Sequence, residues 1–182
     1  MQDSKEHAIA FGRDLNSKVI CSGITNGNVI SGNIPAITRA FADIHNHPND
    51  TPPDAGDFYG LIDINRNNSE YDTRFVITKS HTVYALLVTD HLAAEAFNIN
   101  YQRQMPAFAG GPPGFPINMV DEFREIKYNH NCTDEMAMAF ILEKYDAGVS
   151  LLKQDGEGVF RKLVTSVSGA GSQLIFTVSY CQ

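Results

Sequence analysis

The tightest constraint on this chain is the stretch DIHNHPNDTPPDAGDF, residues 43–58. Two histidines stand one residue apart, a proline follows directly, and Asp57 arrives ten positions after His47. Upstream lies Ala42-Asp43-Ile44; downstream, Ala55–Ile64 places Phe58, Leu61 and Ile62 at helical spacing, with Asp57 in the first turn. In an extended segment residues i and i+2 share a face, so His45 and His47 can reach one ion. Two neutral imidazoles and a carboxylate form a three-ligand set suited to Zn²⁺, with a fourth position open to water. Pro48, Pro52 and Pro53 limit the loop's freedom, which reduces the entropy lost when ligands are held in place. Asp50 is a rival third ligand. Asp57 is favoured because a helix start stabilises the anionic form that a ligand needs.

Around this loop the predicted elements are mixed. Ala8–Gly12 and Val19–Ile24 read as a β-hairpin joined by RDLNSK, and ITNGNVISGN is turn-rich. Pro35 predicts the first turn of a short helix over PAITRAFAD. FVIT (75–78) and VYALLV (83–88) read as strands across a KSHT turn, and Asp90 caps a helix in HLAAEAFNINYQ. The Pro/Gly-rich stretch 104–116 is either a linker or an ordered loop lying over something. Val120–Tyr128 and Asp134–Tyr145 read as helices, the second capped by Thr133 or Asp134. From Gly148 onward, strand-like runs punctuated by DGEG and SGAG predict a β-meander. This order, without internal repeats, predicts an α+β domain, three-layer α/β/α-like, not a regular βαβ array. It divides into a metal-binding core over 1–103, a loop over 104–116, and a C-terminal extension over 117–182 packed on that core.

Composition narrows the functions. With 43% hydrophobic and 19% charged residues the chain suits a globular core, and its net charge of −7 offers no basic footprint for nucleic acid or anionic membrane. The opening MQDSKEHAIAFG has no secretory-signal pattern, and no apolar run approaches the ~18 residues of a membrane span. A cytoplasmic setting is expected, or export by a system that needs no signal peptide. Cys21, Cys132 and Cys181 are odd in number and widely spaced, which predicts reduced, structural thiols.

Hydrolysis at such a metal site needs a second acid to take the water's proton and hand it to the leaving amine. Glu6, just ahead of the first predicted strand, is the candidate. Taken together, Glu6-His7-Ala8-Ile9-Ala10-Phe11, then His45-Asn46-His47-Pro48 and Asp54-Ala55-Gly56-Asp57, resemble the JAB/MPN superfamily over roughly residues 5 to 90. Its JAMM motif is an upstream Glu, His-x-His-Pro and Ser-x-x-Asp. The nearest likeness is to RadC-like proteins and to JAB-type domains of bacterial polymorphic toxins. The resemblance implies a cytidine-deaminase-like mixed sheet flanked by helices, here with an added C-terminal helix and β-meander segment. It makes His45, His47 and Asp57 zinc ligands and Glu6 the general base. The implied reaction is hydrolysis of an amide or isopeptide bond in a protein or peptide, as in deubiquitinating relatives.

Two departures qualify that reading. The interval from His47 to Asp57 is one residue shorter than the family spacing, and Asp54 stands at the serine position, making it the second candidate catalytic residue. A carboxylate there repels a developing oxyanion unless it turns away or is protonated. Thr51 is an alternative hydroxyl. The competing expectation is an interaction module, with or without metal, that no longer hydrolyses. Glu6 lies close to the chain start, which implies a compact variant or a domain cut from a longer toxin-like protein, with an immunity protein as partner in the second case.

The remaining motifs read as structure. His7, His81, His91 and His130 are expected to be structural or solvent-facing. Cys132 beside His130 and Asp134 reads as a helix start, not as a nucleophile pair. Met105, Met119, Met136 and Met138 are expected core filler. The literal His-Asn-His string is not the signature of HNH nucleases, whose residues are spread over a ββα-metal unit.

Overall fold

The computed structural model describes residues 3–106, 111–170 and 174–181. Its first strand, β1 (His7–Arg13), alternates half-buried residues with the buried small residues Ala8, Ala10 and Gly12. Their size lets neighbouring chain lie close. A Cβ on Gly12 would sit 2.3 Å from the Thr38 carbonyl oxygen, so no larger residue fits there. β2 (Val19–Cys21) and the two-residue β3 (Thr25–Asn26) both pair antiparallel with β1. The expected 8–24 hairpin is therefore present.

The helix predicted from Pro35 does not form. Residues 31–41 contain only a turn at Thr38-Arg39, where Arg39 adopts a positive φ of 49°. The backbone is satisfied by β1 instead: Arg13 donates to the Thr38 carbonyl (3.2 Å), and Phe41 donates to that of Phe11 (2.9 Å). A long-range pairing thus outcompetes a local propensity.

β4 (Ala42–Asn46) follows, then α1 (Ala55–Asn67), β5 (Thr73–Ile77), β6 (Val83–Val88), α2 (His91–Asn100) and α3 (Ile117–Arg124). A π-helical turn, Glu125–Asn129, continues α3, and α4 (Asp134–Lys144), β7 (Val149–Gln154), β8 (Phe160–Ser168) and β9 (Ile175–Tyr180) complete the order. The nine-stranded sheet runs β2-β1-β4-β5-β6-β7-β8-β9, with β3 beside β1. Among the described residues only β4 and β5 pair in parallel, in the register Asp43↔Arg74 and His45↔Val76. That pair needs a crossover, and α1 supplies it. The 117–182 stretch belongs to the same sheet, because β7 pairs with β6.

Phe58 and Leu61 of α1, Phe97 of α2, Met119 of α3 and Met138 and Ile141 of α4 share one buried cluster with Leu86, Val149, Leu151 and Leu163 of the strands. Those strand residues lie on one face of the pleat, since Leu86 pairs with Leu151 in register. All four helices therefore cover the same face, giving two layers where three were expected. The reason is topological: α2, α3 and α4 lie in the single connection between antiparallel β6 and β7, free to stack beside α1. Met119 and Met138 are core, as expected, but Met105 is 79% exposed in the 104–116 loop. Among the described residues, no helix is long and apolar enough to cross a membrane.

Candidate metal centre

The end of β4 delivers the histidines. His47 donates its backbone N–H to Ile77 (2.9 Å), extending the ladder one residue past the strand, so His45 and His47 stay on one face. The first turn of α1 meets them. Asp54 is its N-cap, with Oδ1 accepting from Gly56 N (2.7 Å) and Asp57 N (3.1 Å). Asp57 closes a reciprocal box by accepting from Asp54 N at 2.9 Å. The Asp54-x-x-Asp57 spacing thus aims the Asp57 carboxylate at the histidines.

Three donor atoms converge. His45 Nε2 lies 3.2 Å from His47 Nε2 and 2.9 Å from Asp57 Oδ1, while His47 Nε2 lies 3.3 Å from Asp57 Oδ2. A zinc ion with bonds of ~2.0–2.1 Å sets tetrahedral ligands about 3.3 Å apart; the two imidazole nitrogens stand at 3.2 Å, and one donor atom from each of the three residues lies within 4.8 Å of the others. All three residues are buried, and together they can hold a metal ion.

The two imidazoles differ in what stands behind them. His47 Nδ1 donates to the Thr51 carbonyl at 3.0 Å, which leaves Nε2 as the free lone pair. His45 Nδ1 faces Asp43 Oδ1 at 3.8 Å, too far for a hydrogen bond, and is a buried nitrogen without a partner. Asp43 is clamped in turn: Arg74 donates to it through Nε (3.1 Å) and Nη2 (2.9 Å), and Tyr71 donates its hydroxyl. Arg74 Nη1 also donates to the Asp57 carbonyl (3.0 Å), tying β5 to the first turn of α1. Gly60 leaves room for that guanidinium, since a Cβ there would sit 2.5 Å from Nη1.

The charges follow from these contacts. Burial opposes ionisation of Asp57, but the two imidazoles outweigh it and hold the carboxyl well below its usual range. Burial likewise opposes charge on His45, and Asp57 outweighs it, raising the imidazole to about 10. His47 is raised in the same way. With no metal bound, the two imidazoles and the Asp57 carboxylate form a hydrogen-bonded cluster, and a cation must displace the imidazole protons that lie between them. For Asp43, burial is overcome by Arg74 and the carboxyl is held low.

Glu6 enters from the other side. Its backbone is pinned by Gly27 N to Glu6 O and Glu6 N to Asn28 O, each 2.8 Å. Its side chain lines one cavity of about 310 Å³ with His45, His47, Asp54 and Asp57, beside Pro112 and Pro113. Burial pushes the Glu6 carboxyl up from its ordinary value. The 104–116 stretch is thus an ordered loop over the site where it is described, and its residues 107–110 lie outside the described set.

Other candidates sit elsewhere. Asp50 accepts from Ser80 N (2.6 Å) and is committed to the β5–β6 turn. The Thr51 hydroxyl lies 3.1 Å from His47 Nδ1, and Thr51 also lines a smaller cavity of about 180 Å³ with Glu6, His47 and Asp54. His7 bridges Asp3 and Asn26, His91 meets Asn65, His130 meets the Leu174 carbonyl, and His81 is exposed. Cys132, His130 and Asp134 do not converge: the thiol is pushed up by burial, and Asp134 pairs with Lys127. Sequence reasoning missed Asp43, Tyr71 and Arg74. The available signal was an acid in one apolar strand and a base in another, with Asp43 two positions before His45 and so on its face. No protein-family model, curated protein or solved structure matches the chain.

Proposed function

We propose that the chain is a zinc-dependent hydrolase of amide or isopeptide bonds, with a JAB/MPN-type site and fold. The reading is carried by one observation: Glu6 shares a cavity with the converging donor atoms of His45, His47 and Asp57. When bound, the metal supplies Lewis-acid polarisation of a carbonyl and lowers the pKa of water. The protein's own groups do the rest. His45, His47 and Asp57 would hold the cation, the Asp43 carboxylate faces His45 Nδ1 at 3.8 Å, and Arg74 ties β5 to the first turn of α1. Glu6 takes a proton from the attacking water and returns it to the departing amine nitrogen. Asp54 serves as helix cap through Oδ1, a structural role in place of the motif serine.

Glu6→Gln tests this directly, with zinc-loaded protein offered unstructured peptides and an isopeptide-linked ubiquitin dimer. The expected loss is about 10²–10⁴-fold in rate with zinc content unchanged. A second reading, a metal-binding module without hydrolysis, draws on Asp54 as a carboxylate in the cavity wall. It is favoured if the zinc-loaded wild type cleaves nothing and Asp54→Ser gains activity.

A further inference from the structure

The ligand loop has two sides. Gly56 and Asp57 face the metal cavity, whereas Thr51, Pro52, Pro53 and Ala55 face a second cavity of about 400 Å³. The loop opposite divides the same way: Pro112 and Pro113 line the first cavity, Gly114 and Phe115 the second. Two continuous stretches of backbone therefore wall both spaces, and Asp54 lies on the ridge between them.

The second cavity is apolar, built on Phe115, Val120, Phe123 and Met138, and its volume falls in the ~300–1,000 Å³ range of ligand sites. Lys127 and Tyr128 of the π-helical turn form its outer wall. An ion pair from Lys127 to Asp134 (2.6 Å) anchors that turn to the start of α4. Such turns recur at functional sites. His47, Pro48, Asn49, Lys79 and His81 border a third cavity of about 480 Å³. A narrower space of about 180 Å³, lined by Glu6, His47, Thr51 and Asp54 among others, shares Thr51 and Asp54 with the second cavity and His47, Pro48 and Asn49 with the third, so the spaces form a continuous row past the candidate metal ligands.

We propose that the Phe123 cavity is a side-chain subsite that takes a large apolar residue of an extended polypeptide substrate, next to the amide presented to the metal. The amide rests on the hydrolase reading above; the side-chain preference rests on the cavity alone. The serial order selects the occupant, because an extended chain advances ~3.3 Å per residue and spans successive cavities, whereas a compact molecule fills one.

The test uses the full-length Glu6→Gln protein, so that nothing is turned over. Binding of acetyl-Gly-Gly-Xaa-Gly-Gly-amide, with Xaa as Phe, Leu, Ala or Asp, is read by calorimetry. Phe and Leu should bind at least ~10-fold tighter than Ala. Val120→Trp, which fills the cavity from α3, should erase that difference with zinc content unchanged. Shift mapping of the Phe peptide on unmodified side chains gives an independent readout, with the expected changes at Val120, Phe123 and Met138. Equal binding of all four peptides by a zinc-loaded chain overturns the subsite and leaves the hydrolase reading intact. A Phe preference in a chain that binds no zinc does the reverse. Acetyl-phenylalanine amide binding as tightly as the pentapeptide overturns the polypeptide occupant.

Discussion

The two halves of the sheet bury opposite kinds of side chain. Around β1, β4 and β5 the interior holds Glu6, Asp43, His45, His47, Asp57 and Arg74. Around β6 to β8 it holds Leu86, Val149, Leu151 and Leu163 against Met138, Ile141 and Leu142. The second kind of interior stabilises through area removed from water and tolerates many residue choices. The first kind is costly, because each buried charge loses its hydration and is tolerated only when matched. Matching here depends on register: the parallel β4–β5 pair sets Asp43 beside Arg74. An apolar pair would hold those strands as well. What the charged pair adds is a carboxylate facing His45 and a guanidinium that ties down the first turn of α1, the kind of support a metal site uses.

The comparison breaks most severely at Arg74. Arg74→Ala leaves Asp43 buried and uncompensated, so urea denaturation should register a loss of about 3–5 kcal/mol. Metal affinity should fall by about 10–100-fold in the same variant. The double change Asp43→Leu/Arg74→Met should recover most of the stability and none of the affinity, separating the two roles.

Acidity separates the halves next. The folded pKa of His45, about 10, lies above the ordinary 6.5. Its contribution is therefore full below 6.5 and is lost as pH rises through about 10. Asp57 lies well below the ordinary 3.8, so its contribution is present above 3.8 and is lost as pH falls through its depressed value. With a chelator present, stability measured by urea denaturation should peak between 3.8 and 6.5 and decline toward pH 10. Added zinc should remove the alkaline decline, because ligands bind the metal deprotonated.

At the apolar half, Leu151→Ala should cost about 2–5 kcal/mol. Zinc stoichiometry of the folded fraction should stay unchanged, since β7, which carries Leu151, is separated by β6 from the β4–β5 pair that carries Asp43, His45 and Arg74. The smallest effect is expected at Asp54. Asp54→Ala removes the cap of α1 for about 0.5–2 kcal/mol, and Asp54→Ser retains most of it. Thermal melts of the two variants side by side measure that difference.

What was legible in the sequence was local. The β1–β2 hairpin, α1, the β5–β6 hairpin, the Asp90 and Thr133 caps and the closing meander all follow from turn residues and periodicity. So does the ligand trio, because an i, i+2 pair on a strand and a helix-start acid are short-range patterns. What was not legible depends on distant pairing. PAITRAFAD carries a good helix-start proline, yet β1 captures its backbone from more than twenty residues away in sequence. Asp43 and Arg74 meet only because a parallel register sets them side by side, across an intervening helix. The loop's path, which sets the Thr51 carbonyl and hydroxyl against His47 Nδ1, is likewise not a pattern of neighbouring residues.

His45, His47 and Asp57 converge as a site able to hold a metal ion. Its most direct measurement is elemental analysis of the purified protein, comparing wild type with His45→Ala/His47→Ala after both are offered zinc. One zinc per folded wild-type chain, absent from the double variant, is the expected result. A well-folded wild type that takes up no zinc would contradict the account, leaving the buried trio as a hydrogen-bonded structural cluster.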